Sequence, residues 1–145
     1  MIATARQSAA QTLAFAFGAW FLVLGVLGFV PGVTQNVDSI ELAGVESDAE
    51  LLGIFELSVL HNAIHLAFAS GLVMARTPRA ARGFLLVGAI FYAALLAFGA
   101  LVGDSDSANF IPMNWASDVS HLGFAAAFAG AYAFARRASP ATVAA

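Results

Sequence analysis

The organisation of this chain follows from the stretch SVLHNAIHLAF at residues 58–68. Four polar residues recur in this otherwise apolar run, namely Ser58, His61, Asn62 and His65. Side chains that lie three, four and seven residues apart share one face of an α-helix, because the helix repeats about every 3.6 residues. The stretch therefore predicts a helix that is apolar around most of its circumference and carries a single polar stripe.

A second copy of this pattern lies further along the chain, in NWASDVSHLGF at residues 114–124. Four of its polar residues coincide with the first four when residue 58 is placed on residue 114, namely Asn114, Ser117, Asp118 and His121. Two short segments, GAWF at residues 18–21 and GAIF at residues 88–91, also match. The chain is therefore predicted to contain two similar helical hairpins, related by a parallel pseudo-two-fold repeat.

The composition predicts that these helices lie in a membrane. Of 145 residues, 61% are hydrophobic and 10% are charged, whereas soluble proteins carry about 25% charged residues. Apolar runs at about residues 9–30, 54–74, 83–102 and 115–135 each approach the roughly 20 helical residues that cross a hydrocarbon core. Helices are favoured over strands, because open strand edges stay unpaired in lipid. We predict an all-α fold, with one transmembrane domain over residues 1–145 built as an integral membrane four-helix bundle of two similar hairpins.

The connections between the spans carry their own signals. An acidic outer loop is predicted at residues 31–53. Within it, Ser47 and Glu50 have the spacing of a capping box and predict an early start of the second helix. Thr77-Pro78 predicts the start of the third helix, because proline suits the first helical position.

Charge determines the predicted orientation. All six positive side chains fall in the N-terminal stub, the connection between the second and third spans, and the C-terminal flank; they are Arg6, Arg76, Arg79, Arg82, Arg136 and Arg137. The other side receives the acids of the outer loops, which are Asp38, Glu41, Glu46, Asp48, Glu50, Asp104 and Asp106. Since positively charged loops stay in the cytoplasm, we predict a multi-pass plasma-membrane protein with both the N- and C-termini cytoplasmic.

Several classes of function are disfavoured by what the sequence lacks. Without cysteine there is no disulfide, thiolate metal site or cysteine nucleophile. Six positively charged residues form no basic patch for nucleic acid. HNAIH at residues 61–65 has asparagine where zinc proteases have the glutamate that serves as base, and glycine-rich phosphate loops and G-x-S-x-G elbows are missing. We nominate no catalytic residue and predict a non-enzymatic membrane component or accessory subunit.

Three hypotheses fit the polar residues of the two stripes, which are expected to face the bundle interior because polar groups are costly in lipid. In the first the stripes are structural, with Asp118 pairing with His121. Asn62 bonds to His65 in the same way, and the bonds tie the two halves together. In the second, His65 and His121 bind a cofactor, either a haem through two imidazoles or a divalent metal. The further metal ligands are then His61 and Asp118. In the third, the same groups form a proton or cation relay.

Small residues indicate how the helices pack. Two pairs have the spacing that lets helix backbones approach closely, Ala67 with Gly71 and Gly123 with Ala127. Such contacts form within one chain, in a homo-oligomer or in a larger membrane complex, in each case inside the lipid bilayer. Trp20, near the middle of the first span, is assigned to packing.

Both polar stretches and the residues before them resemble a known family. LGIF at residues 52–55 leads into LHNAIHL at 60–66, and NFIPMN at 109–114 leads into DVSHL at 118–122. The sequence is similar to DUF4383, an uncharacterised four-helix bacterial membrane family found mainly in actinobacteria, over nearly the whole chain. Members often carry Asn-Pro just before Leu-His-Asn, where this chain has Ser58-Val59. The resemblance implies the four-helix membrane architecture and points to these polar residues without implying a reaction.

Overall fold

The computed structural model of the chain describes residues 7–102 and 108–138, which are predominantly helical. The helices are α1 (Ala9–Leu27), α2 (Val59–Phe68), α3 (Gly71–Met74), α4 (Pro78–Leu101) and α5 (Trp115–Arg137). Because α2 and α3 are parts of one apolar segment, Val59–Met74, the described residues form four helical segments, and the predicted all-α class is confirmed. Arg6, Asp104 and Asp106 lie outside the described residues.

The N-terminus of α1 is fixed by a capping box. The Ser8 hydroxyl accepts a hydrogen bond from the N–H of Gln11, and the Gln11 side chain accepts one from the N–H of Ser8 at 3.0 Å. The side-chain amide of Gln11 also donates to the carbonyl of Ala75 at 3.0 Å. The start of α1 therefore lies beside the turn between α3 and α4.

The helix α2 begins at Val59, later than the residue 54 at which the second span was predicted to start. Ser58 is its N-cap, and the Ser58 hydroxyl accepts from the N–H of His61 at 3.1 Å. At the junction of α2 and α3 the hydrogen bonding tightens, since the N–H of Leu72 donates to the carbonyl of Ala69 at 3.0 Å. This tighter turn divides the segment into two helices.

The loop between α1 and α2 holds a small antiparallel sheet in place of the predicted helix start. Its strands are β1 (Thr34–Gln35), β2 (Glu50–Leu51) and β3 (Phe55–Glu56), paired in the order β1-β2-β3. The capping box predicted at Ser47 and Glu50 is therefore wrong. The Ser47 hydroxyl instead donates to the carbonyl of Leu57, because serine bonds readily to nearby main chain outside helices.

The helices α4 and α5 begin where the sequence predicts. The Thr77 hydroxyl accepts from the N–H of Ala80 at 3.2 Å, and proline occupies the first turn of α4. Asn114 is the N-cap of α5, and its side-chain oxygen accepts from the N–H of Ser117 at 3.1 Å.

Glycines set the distance between neighbouring helices. A Cβ on Gly18 of α1 would lie 2.8 Å from the carbonyl carbon of Gly71 in α3. A Cβ on Gly88 of α4 would lie 2.8 Å from Cγ of Phe128 in α5. These close approaches pair α1 with the α2–α3 segment and α4 with α5.

The two pairs of small residues behave differently. Gly71 makes a close contact, since a Cβ there would lie 2.6 Å from the carbonyl oxygen of Ala14. Gly123 has no neighbour within 4 Å in the described chain, and both it and Ala127 are exposed. The second pair therefore makes no helix contact among the described residues.

The centre of the bundle is aromatic. The ring centroid of Phe21 in α1 lies 5.3 Å from that of Phe68 in α2, 5.6 Å from that of Tyr92 in α4 and 5.0 Å from that of Phe124 in α5. Phe128 stacks on Tyr92 at 5.7 Å. Each of the four helical segments thus contributes a ring to one continuous core.

The outer surface of the bundle is apolar. Among the described residues, two helices, Ala9–Leu27 and Pro78–Leu101, are long and apolar enough to span a membrane. Only 28% of the residues in the most apolar window of each are buried, unlike the core helix of a soluble protein. More than half of the side-chain surface is exposed at Phe15, Trp20, Val26, Val87, Ile90, Val119 and Leu122.

The described arginines lie at one end of the bundle. Three flank the start of α4 and two end α5, and Ala81 and Ala135 at those two ends pack in the same core. The acids of the α1–α2 loop lie at the opposite end, beside the starts of α2 and α5.

Candidate functional site

The loop before α2 fixes the direction of its first turn. The N–H groups of Val59 and Leu60, which a helix leaves without internal partners, donate to the carbonyls of Glu41 and Leu42 at 2.9 and 3.0 Å. Since the first turn is held at both its donors and its N-cap, His61 in that turn points in a defined direction into the bundle.

The start of α5 is joined to the same loop. The side-chain amide of Asn114 donates to the carbonyl of Ile54 at 2.8 Å. The N–H of Gly44 donates to the carbonyl of Phe110 at 2.8 Å. The α1–α2 loop and the segment 108–114 therefore form one layer across the ends of α2 and α5, termed here the loop cover.

Three histidines meet beneath the loop cover. The ring centroids of His61 and His65 are 4.8 Å apart, and those of His61 and His121 are 6.1 Å apart. Their exposed fractions are 5%, 8% and 3% for His61, His65 and His121. All the histidines of the chain thus form one buried group, termed here the histidine cluster.

The aromatic core adjoins the histidine cluster. The ring centroid of Phe21 lies 5.8 Å from that of His65, and that of Tyr92 lies 5.6 Å from that of His121. The Tyr92 hydroxyl is buried without a hydrogen-bond partner among the described residues. The cluster therefore sits between an apolar, aromatic layer on one side and the loop cover on the other.

Several polar atoms of the cluster have no hydrogen bond. Nδ1 of His61, His65 and His121 is buried without a partner in the described chain, as are both polar side-chain atoms of Asn62. The hydrogen bond predicted between Asn62 and His65 is therefore not formed. The amide group of Asn62 instead packs directly against Gly28, the C-cap of α1, where a Cβ would overlap it.

The eight polar residues predicted to form one cluster have different positions. His61, His65, His121 and Ser117 border a common cavity. Ser58 and Asn114 are the N-caps of α2 and α5. Asn62 lies against α1 and Asp118 lies against Gly99 of α4. Six of the eight residues are buried, whereas Asn114 and Asp118 are half-buried, and the two cap positions serve the backbone.

The cavity beside the histidine cluster has a volume of about 180 Å³. Its lining combines the three histidines, Ser117 and Ser120 with apolar side chains from α1, the loop cover and α5. The full lining comprises Trp20, Leu24, Leu51, Leu52, Phe55, Leu57, His61, His65, Ser117, Ser120, His121 and Phe124. Side chains from α1, the loop cover, α2 and α5 thus line the cavity together.

The sequence patterns did not predict the apolar part of the lining. Trp20, assigned there to packing, and Leu24 reach the cavity from α1. Leu51, Phe55 and Leu57 reach it from the loop cover. Their only sequence signal is hydrophobicity, which they share with most of the chain, so spacing alone could not select them.

The predicted cofactors can be compared with this geometry. No group of three or more His, Asp or Glu side chains in the described chain is placed to hold a metal ion, and the metal set of His61, His65, Asp118 and His121 stays a prediction. A haem is larger than the cavity of about 180 Å³, because pockets for drug-sized ligands measure about 300–1,000 Å³.

Fold and site together define an all-helical protein with an apolar exterior and, at one end of its bundle, a largely apolar cavity that three histidines help to line. The family model described as Domain of unknown function (DUF4383) matches residues 11–134, most of the chain. The chain belongs to this family, and the predicted resemblance is confirmed. No curated protein and no solved structure matches the chain significantly.

Proposed function

We propose that this chain is an integral membrane protein whose histidine cluster binds a small molecule. The observation that carries the proposal is that three buried histidines, each with Nδ1 lacking a hydrogen bond in the described chain, wall a cavity of about 180 Å³. The chain would act by binding, alone or as an accessory subunit of a membrane complex, and not as an enzyme.

The distribution of polarity supports the membrane assignment. Soluble domains bury apolar residues and rarely expose contiguous apolar patches of more than a few hundred Å². Here the histidines and Asn62 are buried while Phe15, Val87 and Ile90 are more than half exposed. A lipid environment accommodates this arrangement, because polar groups in it turn toward the bundle interior. All four helical segments would then cross the bilayer.

The charges support an orientation for this bundle. The arginines at one end would be cytoplasmic together with both termini, and the loop cover would lie outside, because positively charged segments stay in the cytoplasm. The plasma membrane is the membrane that this arrangement predicts for a bacterial chain.

Accessibility of introduced cysteines tests this topology, since the chain has no cysteine of its own. In intact cells an impermeant maleimide is expected to label Asp38→Cys, in the loop cover, and to label Arg79→Cys only after the membrane is permeabilised. Both residues are exposed, so a difference reports the side of the membrane. Labelling of both from the same side would contradict the orientation, and release of the chain by carbonate washing would contradict membrane insertion.

Matching contacts support a repeat of two hairpins. Gly18 lies against Leu72 and Gly88 lies against Phe128. The sequence correspondence places residue 18 on residue 88 and residue 72 on residue 128. The N-caps Ser58 and Asn114 correspond in the same way. The repeat would give each hairpin one polar stripe directed at the centre of the bundle.

Binding accounts for the cluster better than a purely structural role. A buried polar group without a hydrogen bond costs about 1–3 kcal/mol, whereas a structural network stabilises a bundle by forming its bonds. Three histidines and Asn62 have polar atoms that make none in the described chain. Such groups are retained where a ligand satisfies them.

A relay for protons or cations is less well supported. A conduit needs polar groups or water along its length. The histidine cluster is bounded by the aromatic core at Phe21, Tyr92 and Phe124 and by the buried residues Leu51 and Leu57 of the loop cover. These apolar layers favour a closed site over a path.

Filling the cavity tests the binding proposal. Ser120 borders the cavity, so Ser120→Phe is expected to occupy it and to deplete any small molecule that co-purifies with the wild type. Mass spectrometry of organic extracts of the two purified proteins measures this loss. The matched control is Val119→Phe, because Val119 is 62% exposed and adjacent in sequence. Extracts of wild type and Ser120→Phe that cannot be distinguished would contradict the proposal.

A further inference from the structure

The cavity has room for one ring. Its volume is about 180 Å³, and an engineered protein cavity of about 150 Å³ accommodates benzene. Pockets for drug-sized ligands are larger, at about 300–1,000 Å³. A single ring with small substituents therefore fits, whereas a nucleotide or a macrocycle does not.

The walls select an uncharged ring that carries oxygen atoms. A neutral imidazole offers one hydrogen-bond donor and one acceptor, and His61, His65 and His121 all line the cavity. His61 also bonds to the main chain of Glu56 and Pro112. No Asp, Glu, Lys or Arg is among the described residues that line it. A carboxylate or phosphate would find no cation there, and an ammonium group would find no carboxylate. Leu24 and Phe124 also line the cavity and provide apolar surface against which a ring packs.

Access is from the side of the bundle. Trp20 and Leu52 line the cavity and are 53% and 60% exposed, so they form its rim on the apolar exterior. Toward the acidic end, Leu51 and Leu57 of the loop cover line the cavity and are 3% and 0% exposed, so they close it. In a bilayer this mouth would face lipid, and a ligand with an apolar tail could leave the tail outside.

We propose that the cavity binds the headgroup of a lipid-borne amphiphile, a single uncharged ring with hydrogen-bonding oxygens of the quinone or phenol class. The ring packs against the apolar part of the lining, and its oxygens bond to the imidazoles. This inference rests on the proposed function, since it identifies the small molecule that the histidine cluster binds. It involves binding alone.

Trp20 provides a reporter for the test. The chain has two tryptophans, and Trp115 is 71% exposed and does not line the cavity. In a Trp115→Phe protein reconstituted in phosphatidylcholine nanodiscs, decylubiquinone is expected to quench Trp20 fluorescence with saturation, because quinones quench indoles on close approach. A parallel titration of the same protein with lipid alone, without quinone, defines the unquenched baseline.

Variants separate binding from partition into the lipid. His121→Phe removes a hydrogen-bonding group and narrows the cavity. It is expected to raise the quinone concentration at half-maximal quenching at least about tenfold, because one or two hydrogen bonds are lost. Val119→Phe, on the exposed face of the same helix, is expected to keep it. Leu24→Phe narrows the cavity from the apolar wall and gives the same test if His121→Phe does not fold. Quenching that rises linearly and equally in all variants would overturn the proposal.

Competitors define the headgroup. In the wild-type background 4-decylphenol is expected to displace decylubiquinone, whereas oleate, with a carboxylate head, is not. Displacement by oleate alone would overturn the assignment to an uncharged ring. A cavity-dependent small molecule in the wild-type extract with no saturable quinone binding would overturn this inference and leave the proposed function standing, whereas loss of both would overturn both.

Discussion

Replacing Gly18 with valine is expected to prevent α1 from packing on the α2–α3 segment and to abolish the folded bundle. A Cβ at this position would lie 2.8 Å from the carbonyl carbon and 3.0 Å from Cα of Gly71. Overpacking against side chains costs about 1–3 kcal/mol. Here the obstacle is main chain in a helix, which cannot rotate away, so the cost is expected to reach or exceed the upper part of that range. The valine would also displace Ala14, Gly71 and Phe84 from their shared contact.

The matched control is valine at Gly123 or Gly130, which have no neighbour within 4 Å in the described chain. Thermal unfolding in detergent, followed by size-exclusion chromatography, is expected to give wild-type behaviour for both controls and aggregated or unfolded protein for Gly18→Val. Equal unfolding midpoints for Gly18→Val and Gly123→Val would mean that the contact between α1 and α3 is absent in the folded protein.

Sequence predicted the part of the fold that local periodicity determines. Side chains on one helix face repeat about every 3.6 residues, so the spacing of Ser58, His61, Asn62 and His65 alone predicted a helix and its buried face. The orientation predicted from the charges stays a prediction, although the arginines of α4 and α5 lie at the same end of the bundle.

The loop cover was beyond prediction because its contacts link residues far apart in sequence. Asn114 reaches Ile54 and Gly44 reaches Phe110, and no local pattern encodes either bond. Ser47 gives a second example. Its spacing to Glu50 suits a capping box, but in the folded loop its hydroxyl bonds to the carbonyl of Leu57, which the local sequence does not indicate. The cavity depends on this loop, so its apolar wall was also missed.

The polar residues at the ends of the stripes illustrate a different ambiguity. Ser58 and Asn114 fit the helical stripe by spacing, yet each is an N-cap whose side chain bonds the third residue beyond it. Capping and inward-facing polarity use the same residue types at the same positions, so spacing could not separate the residues that hold the backbone from those that border the cavity.

Replacing His65 with leucine is expected to maintain or raise the stability of the ligand-free protein while weakening ligand binding. Nδ1 of His65 is buried without a hydrogen bond, and the ring packs beside Phe21 at a centroid distance of 5.8 Å. Leucine keeps comparable volume and removes the unsatisfied group, which costs about 1–3 kcal/mol. The thermal midpoint in detergent is therefore expected to be equal to or above that of the wild type. The decylubiquinone concentration at half-maximal quenching of Trp20 is expected to rise at least about tenfold, because one hydrogen-bonding side chain of the cavity is lost.

Ser58→Ala is expected to lower the stability of the protein, and comparison with it distinguishes the hypotheses for the histidine cluster. The Ser58 hydroxyl accepts from the N–H of His61 at 3.1 Å, and losing an N-cap costs about 0.5–2 kcal/mol, so this variant is expected to melt below the wild type. If the histidine cluster were a structural network, His65→Leu would melt below the wild type as well. Destabilisation by His65→Leu comparable to that by Ser58→Ala, with quenching retained, would contradict the binding role of His65 and favour a structural one, because a structural residue stabilises the bundle through its own contacts.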